Sequence, residues 1–289
     1  MRSSSSREHT LSTLRSILLH IDASPRCVKR LELAHELAAQ HGARVTALYA
    51  STPTALTLPF VMGQGAAEML PMLQQLDTDY RDNAKALFDR AEATASVPFA
   101  WTDLREAPLI PAFARRALCT DLLIVGQHDA NDLLTTGVPS DFVPSVVMAS
   151  GRPALVVPYV DTGTTFGQQV LIAWKPTRES AHAVLAAFPF LQLAQRIHLT
   201  IADDSAEPSE CAAALEDHLR LHDVQAPIQR HAAVAAGEPG DGILSLAADV
   251  GADLLVMGCY GHSRARELVL GGATRTMLRS MTLPVLMAH

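Results

Sequence analysis

Near the C-terminus, Gly258, Gly261 and Gly271, followed by Gly272 and Thr274, have the residue types and spacing to hold a phosphate. A glycine has no Cβ to keep an anion away from its backbone N–H, so three of them allow three close approaches. Met277, Leu278 and Met281 fall on one helical face just beyond, which predicts a helix beginning near Gly272. Its unpaired N–H groups and positive dipole end would face the same anion. Thr274 could add a hydroxyl and Lys175 a positive charge, while Arg264, Arg266 and Arg275 make the stretch locally basic. The same glycines also suit a chain that merely turns out of a buried strand and starts a helix, and the spacing alone leaves that use open.

Other residues invite chemistry less strongly. His218 and His222 are four apart on a predicted helix, a spacing that can put two metal ligands on one face, but neither a HExxH pattern nor a third ligand accompanies them. An exposed polar face is the simpler reading. His128-Asp129 and His262-Ser263 are adjacent in sequence, which does not place a base within reach of a nucleophile. Cys259, between a strand end and a helix start, sits where a thiol can be made acidic, or where a small side chain fills a turn. Trp174 ends its strand either as packing or as the border of an adenine. A Walker-type Gly-Lys-Ser/Thr loop is absent, and no pair of carboxylates stands ready for magnesium. No catalytic residue and no metal ligand is therefore assigned, and turnover is expected to be at most slow nucleotide hydrolysis.

The elements that would position these residues are written twice. Ser16 to Ile21 is an apolar run ending at Asp22-Ala23-Ser24-Pro25, as a buried parallel strand entering a helix should be. A helix over about 25–41 ends at Gly42, and further strands follow at 44–50, 97–104, 121–125 and 153–157, with helices between them. After a turn-rich linker at 161–167 the order restarts at Gln169 to Trp174, with Lys175 in the place of Asp22, an offset of 153 (175 − 22). Asp253-Leu254-Leu255-Val256-Met257-Gly258 then repeats Asp121 to Gly126 at an offset of 132 (258 − 126). The shortening of the offset falls mostly in the longer loop after the first unit's second strand, which is where a duplicated domain tolerates insertion.

The predicted class is therefore α/β: two tandem doubly wound domains, 15–160 and 168–289, each a five-stranded parallel sheet with flanking helices. Ligands of such sheets bind at the carboxyl ends of strands, where the strand order reverses. The closing strands, 153–157 and 283–288, are apolar edges expected to pair with each other about a pseudo-two-fold. That makes a pseudo-dimer within the chain, with two sheets rather than one continuous sheet, and leaves a homodimer of chains open.

Gly258-x2-Gly261-x9-Gly271, the strand before it and the Leu-Pro-Val-Leu strand after its helix resemble the universal stress protein family, and the pattern runs from about residue 15 to the end. The resemblance implies an adenine nucleotide α-hydrolase-like fold and a stress-response role, with ATP as the ligand of binding members. It also implies an Asp-x-Ser after the first strand and a Ser or Thr directly after the last loop glycine. Both halves depart from this. The first keeps Asp22-Ala23-Ser24, but Asp129 replaces the second glycine and, at an offset of 132, Pro139 replaces the third. An acid there would repel phosphate, so this half is expected to be empty or altered. The second keeps three glycines but has Gly272 for the hydroxyl residue and Lys175 for the acid. Two alternatives to a nucleotide sensor stay open: a ligand-free scaffold for unknown protein partners and, less favoured, a nucleotide hydrolase.

The bulk properties narrow the partners. A net charge of −7 with no long basic run argues against nucleic acid. No run of about 18 apolar residues predicts a membrane span, and the polar stretch from Met1 to Arg15 lacks the apolar core of a secretory signal. Four isolated cysteines read as free thiols, and a cytoplasmic location is expected.

Overall fold

The computed structural model describes residues 14–289 except 58–65, 98, 105, 136, 162, 164–165, 202–207, 235–238 and 260–271. Strand β1 (Ser16–Ile21) is buried along nearly its whole length, as a strand covered on both faces must be. Its side chains alternate. Ile17, Leu19 and Ile21 face a core shared with Leu31 and Leu37 of helix α1 (Cys27–His41), while Leu18 faces Phe113 of α4 (Leu109–Ala117) and Val146 of α5 (Phe142–Ser150). Helix α1 stops at Gly42, which takes φ +63 and lets the Ala43 N–H return to the Ala38 carbonyl.

The first half continues with β2 (Arg44–Tyr49), α2 (Thr54–Thr57), α3 (Ala66–Ala93), β3 (Phe99–Asp103), β4 (Leu122–Gly126) and β5 (Ala154–Val157). The second runs β6 (Gln169–Trp174), α6 (Arg178–Leu191), β7 (Arg196–Ile201), α7 (Pro208–Leu221), β8 (Ile228–Arg230), α8 (Pro239–Asp249), β9 (Leu254–Gly258), α9 (Ala273–Ser280) and β10 (Val285–Ala288). Among the described residues, the long α3 and the short α2 have no counterpart of that length between β7 and β8, in keeping with the insertion that the two sequence offsets imply.

The duplication is visible in hydrogen bonds. Asp121 accepts from the Arg15 and Ser16 N–H groups at 2.9 and 2.8 Å, tying the start of β1 to β4. Asp253, its counterpart at the same offset as Gly258 from Gly126, accepts from the Gln168 and Gln169 N–H groups at 3.1 and 2.9 Å and ties β6 to β9 in the same way.

The strand order is β3-β2-β1-β4-β5-β10-β9-β6-β7-β8, the same arrangement read from either end. Within each half every described pairing is parallel. At the centre β5 and β10 pair antiparallel, Leu155 opposite Leu286, so the two apolar edges hide each other as expected. One expectation needs correction. Because edge strands joined by hydrogen bonds leave no break, the halves form a single ten-stranded sheet rather than two.

Candidate functional site

In each half the chain winds outward from a central strand and then returns to its other side. The strand order therefore reverses between β1 and β4 in the first half and between β6 and β9 in the second. The loops leaving those strand ends frame the crevice in which such sheets bind ligands.

In the first half that crevice is filled from within. Asp22, directly after β1, accepts from Arg30 Nη2 at 2.8 Å and from the Ser24 N–H at 3.0 Å, and the Cys27 thiol lies 3.1 Å from the same oxygen. Burial pushes the Asp22 carboxyl up, but Arg30 and then His20 outweigh it and hold it below its ordinary value. Burial likewise drives the Cys27 thiol far above its ordinary range, so this cysteine is a hydrogen-bonding core residue and no nucleophile. Burial works against the Arg30 charge too, but Asp22 and Cys27 keep it protonated. His20 completes the set. Its Nε2 lies 2.9 Å from the Ala50 carbonyl and its Nδ1 3.2 Å from Arg30 Nη1. An arginine can only donate and a carbonyl only accept, so the ring is neutral with its proton on Nε2.

A second layer closes over this network. Ser24 Oγ donates to Asp132 at 2.7 Å, and Arg26 Nη1 lies 2.5 Å from the Asp129 carboxylate, an ion contact without hydrogen-bond alignment. The Arg26 guanidinium also sits 5.0 Å above the Tyr159 ring. What remains is a cavity of about 30 Å³, room for a water or two. Asp129 thus faces an internal cation. The Asp-x-Ser motif is spent on the protein's own side chains, in keeping with the expectation of an empty or altered first half. Sequence reading missed Arg26 and Arg30, although Arg26 directly precedes α1 and Arg30 follows it by four residues, a spacing just after Asp22 that signals a shared side.

The second half is built differently at the same place. Ala173 of β6 lies opposite Met257 of β9, so Lys175 and Cys259 leave the sheet side by side. Thr177 caps α6 by accepting from the Ser180 N–H at 3.4 Å. A Cβ on Gly258 would stand 2.5 Å from the Ser180 nitrogen and 2.7 Å from the Glu179 carbonyl carbon. The space released by this glycine therefore belongs to helix α6. At the corresponding Gly126 a Cβ would meet the Arg30 guanidinium at 3.0 Å, so there the glycine admits a cation. Gly272 begins α9 with no side-chain cap, and Thr274 is buried in its first turn. Gly261, Gly271, His262, Ser263, Arg264 and Arg266 lie outside the described residues.

The helix registers revise one sequence correspondence. The starts of α5 and α9 differ by an offset of 131 (273 − 142), as do those of β5 and β10 (285 − 154). The offset of 132 at β4 and β9 therefore shrinks by one in the loop that follows them. Gly272 corresponds to Asp141, the residue preceding α5.

Gly272 and Thr274 border a cleft of about 840 Å³ between the halves, whose other wall includes His128, Asp141 and Met148. Lys175 and Gly258 are not among the residues lining it; they stand at the switch point. Gly272 gives α9 no side-chain cap, so its first N–H groups suit an anion such as a phosphate, while Lys175 is placed by β6 at the switch point. Of the remaining candidates, His218 in the last turn of α7 and His222 just beyond it are exposed, and His222 stacks on Phe188 with ring centroids 4.4 Å apart. No group of three or more metal-ligating side chains occurs among the described residues. Cys259 is buried, and Trp174 packs against the core. No described helix is long and apolar enough to cross a membrane.

Comparison with known proteins gives concordant results. Residues 169–289 match the sequence profile of the universal stress protein family. A universal stress protein of Synechocystis is 23% identical over 299 aligned residues, covering 94% of this chain and 99% of its own. A solved universal stress protein of Archaeoglobus fulgidus superposes with a TM-score of 0.66 at 15% identity, covering 96% of each chain. A structure from Pseudomonas aeruginosa superposes at 0.56 with 17% identity, covering 95% of this chain and 93% of its own.

Proposed function

We propose, from the premise that this chain belongs to the universal stress protein family, that it is a stress-response protein whose second half holds an adenine nucleotide. The first half, on this reading, serves as a fixed, ligand-free partner, and the two units correspond to residues 15–160 and 168–289. One contrast carries the reading. The first switch point is closed by Arg30–Asp22 and Arg26–Asp129, whereas the second has Lys175 beside the end of β9 and an uncapped helix start at Gly272. ATP is the nucleotide assigned, its phosphates at Gly261, Gly271, Gly272 and Thr274 with Lys175 as counter-charge. Gly258 contributes by letting α6 approach β9. The role assigned is sensing rather than turnover.

Calorimetric titration with ATP and magnesium tests this. The parent should bind, and Lys175→Glu and Gly261→Val should each abolish binding. Asp129→Asn should leave it in place, since Asp129 already faces Arg26. A parent that binds no ATP would leave the ligand-free scaffold as the function, a reading that the filled first switch point favours.

A further inference from the structure

The cleft between the halves is lined by two helices in corresponding positions, and their side chains differ in one consistent way. At the helix offset of 131 (273 − 142), Pro144 and Met148 of α5 correspond to Arg275 and Arg279 of α9, and all four line the cleft. Away from the cleft the character is kept, buried Val146 answering to buried Met277, whereas Val143 answers to Thr274, and both of these border the cleft. The exchange of an apolar pair for a basic pair is thus confined to the cleft-facing positions. A spacing of four puts both guanidinium groups on one side of α9.

The charges in the cleft do not cancel. Arg275 and Arg279 are exposed and make no ion pair among the described residues. Of the acids on the opposite wall, Asp129 is matched by Arg26, and Asp141 accepts from the Ser145 hydroxyl at 3.0 Å without a cation. The start of α9 at Gly272, which carries no side-chain cap, adds its partial positive charge to the arginine side. At about 840 Å³ the cleft has the size of a small-molecule site, and Met148 and Leu278 give it apolar surface.

We propose that this cleft binds a multiply charged oxyanion, such as the phosphate end of a small metabolite, through Arg275 and Arg279, with the first half as the opposite wall. Arginine suits this because its planar fork can donate two parallel bonds to one phosphate. The site requires both halves and does not require an adenine, so it stands apart from the nucleotide reading, although Gly272 and Thr274 border both.

Inorganic pyrophosphate, titrated into the full chain at low ionic strength, is the probe. The parent should bind, and Arg275→Gln/Arg279→Gln should weaken binding at least tenfold while leaving thermal unfolding unchanged, because both side chains are exposed. Asp141→Asn, which removes a like charge from the facing wall, should bind several-fold tighter. A change that only disturbed packing would not improve affinity. The proposal is overturned if the parent does not bind pyrophosphate, if the double arginine variant binds within twofold of the parent, or if Asp141→Asn binds no tighter. Failure to bind ATP does not bear on this result, since the probe carries no base.

Discussion

Arg30 Nη2 donates to Asp22 Oδ1 at 2.8 Å with both side chains buried, and this pair occupies the place where an open switch point would receive a ligand. A buried pair adds little net stability over an apolar pair, but removing one partner strands the other charge. Arg30→Met should therefore destabilise the protein by about 3–5 kcal/mol. Adding Asp22→Asn should restore much of that loss. Urea unfolding of the two variants checks it, and a single variant that unfolds at the parent's midpoint would show the pair to be dispensable.

His20 makes stability depend on pH above the range in which carboxylates titrate. Burial, reinforced by Arg30 and opposed by Asp22 and the Ala50 carbonyl, pushes its pKa down to about 4. Below its ordinary value of 6.5 the unfolded chain takes up a proton that the folded chain refuses. Stability is therefore full above that pH and falls as the pH drops towards 4. The loss from pH 7 to pH 5 should be about 2 kcal/mol from this group. Asp22, held below its ordinary value, adds its own loss only at lower pH. His20→Gln can keep both hydrogen bonds without titrating, so its urea midpoint should change less between pH 7 and pH 5 than the parent's.

The periodic elements were legible in the sequence because burial and hydrogen bonding write them directly. The repeated Asp-Leu-Leu at 121 and 253 is one such case: each aspartate ties the start of its half's central strand to the next. The pairing of β5 with β10 followed from two apolar edges, yet the single continuous sheet was missed, although it is a geometric consequence of the same pairing. The site was harder to read. Arg26 and Arg30 look like two surface cations on a helix until the fold turns them onto Asp129 and Asp22. Gly258 signalled a close approach, but sequence could not say that the approaching group is the α6 backbone. The small difference in length between the β4 and β9 loops was likewise invisible until the helix starts fixed the register.

Gly258 and Gly126 occupy equivalent positions but should respond unequally to the same change. A methyl group on Gly258 meets backbone atoms of Ser180 and Glu179 inside 3.0 Å, so strand and helix must move apart. Overpacking of this kind costs about 1–3 kcal/mol. On Gly126 it meets only the end of the Arg30 side chain at 3.0 Å, which can yield more readily than backbone. Gly258→Ala should thus lower the melting temperature more than Gly126→Ala. The reverse order would remove the packing role assigned to Gly258. Weakened ATP binding in Gly258→Ala must then be read with its stability, because helix displacement alone would disturb Lys175.

Gln127 joins the halves through a buried side chain. Its Nε2 donates to the Leu278 carbonyl of α9 at 3.0 Å, and its Oε1 accepts from the Tyr159 N–H at 3.1 Å. The Leu278 carbonyl lies in the last turn of its helix, where no intrahelical N–H remains to satisfy it. Gln127→Leu keeps the bulk but strands both backbone groups, and should cost about 1–3 kcal/mol. Gln127→Glu is the sharper variant. Its carboxylate still accepts from Tyr159 but turns a negative charge towards the Leu278 carbonyl, so at neutral pH the variant should be less stable than the parent. Once protonated, the same group can donate to that carbonyl and restore the bond. The stability gap between Gln127→Glu and the parent, measured by urea unfolding at matched pH, should therefore narrow as pH falls from 7 to 4.5. A gap that stays constant or widens would mean that the Leu278 bond does not hold the two halves in this register.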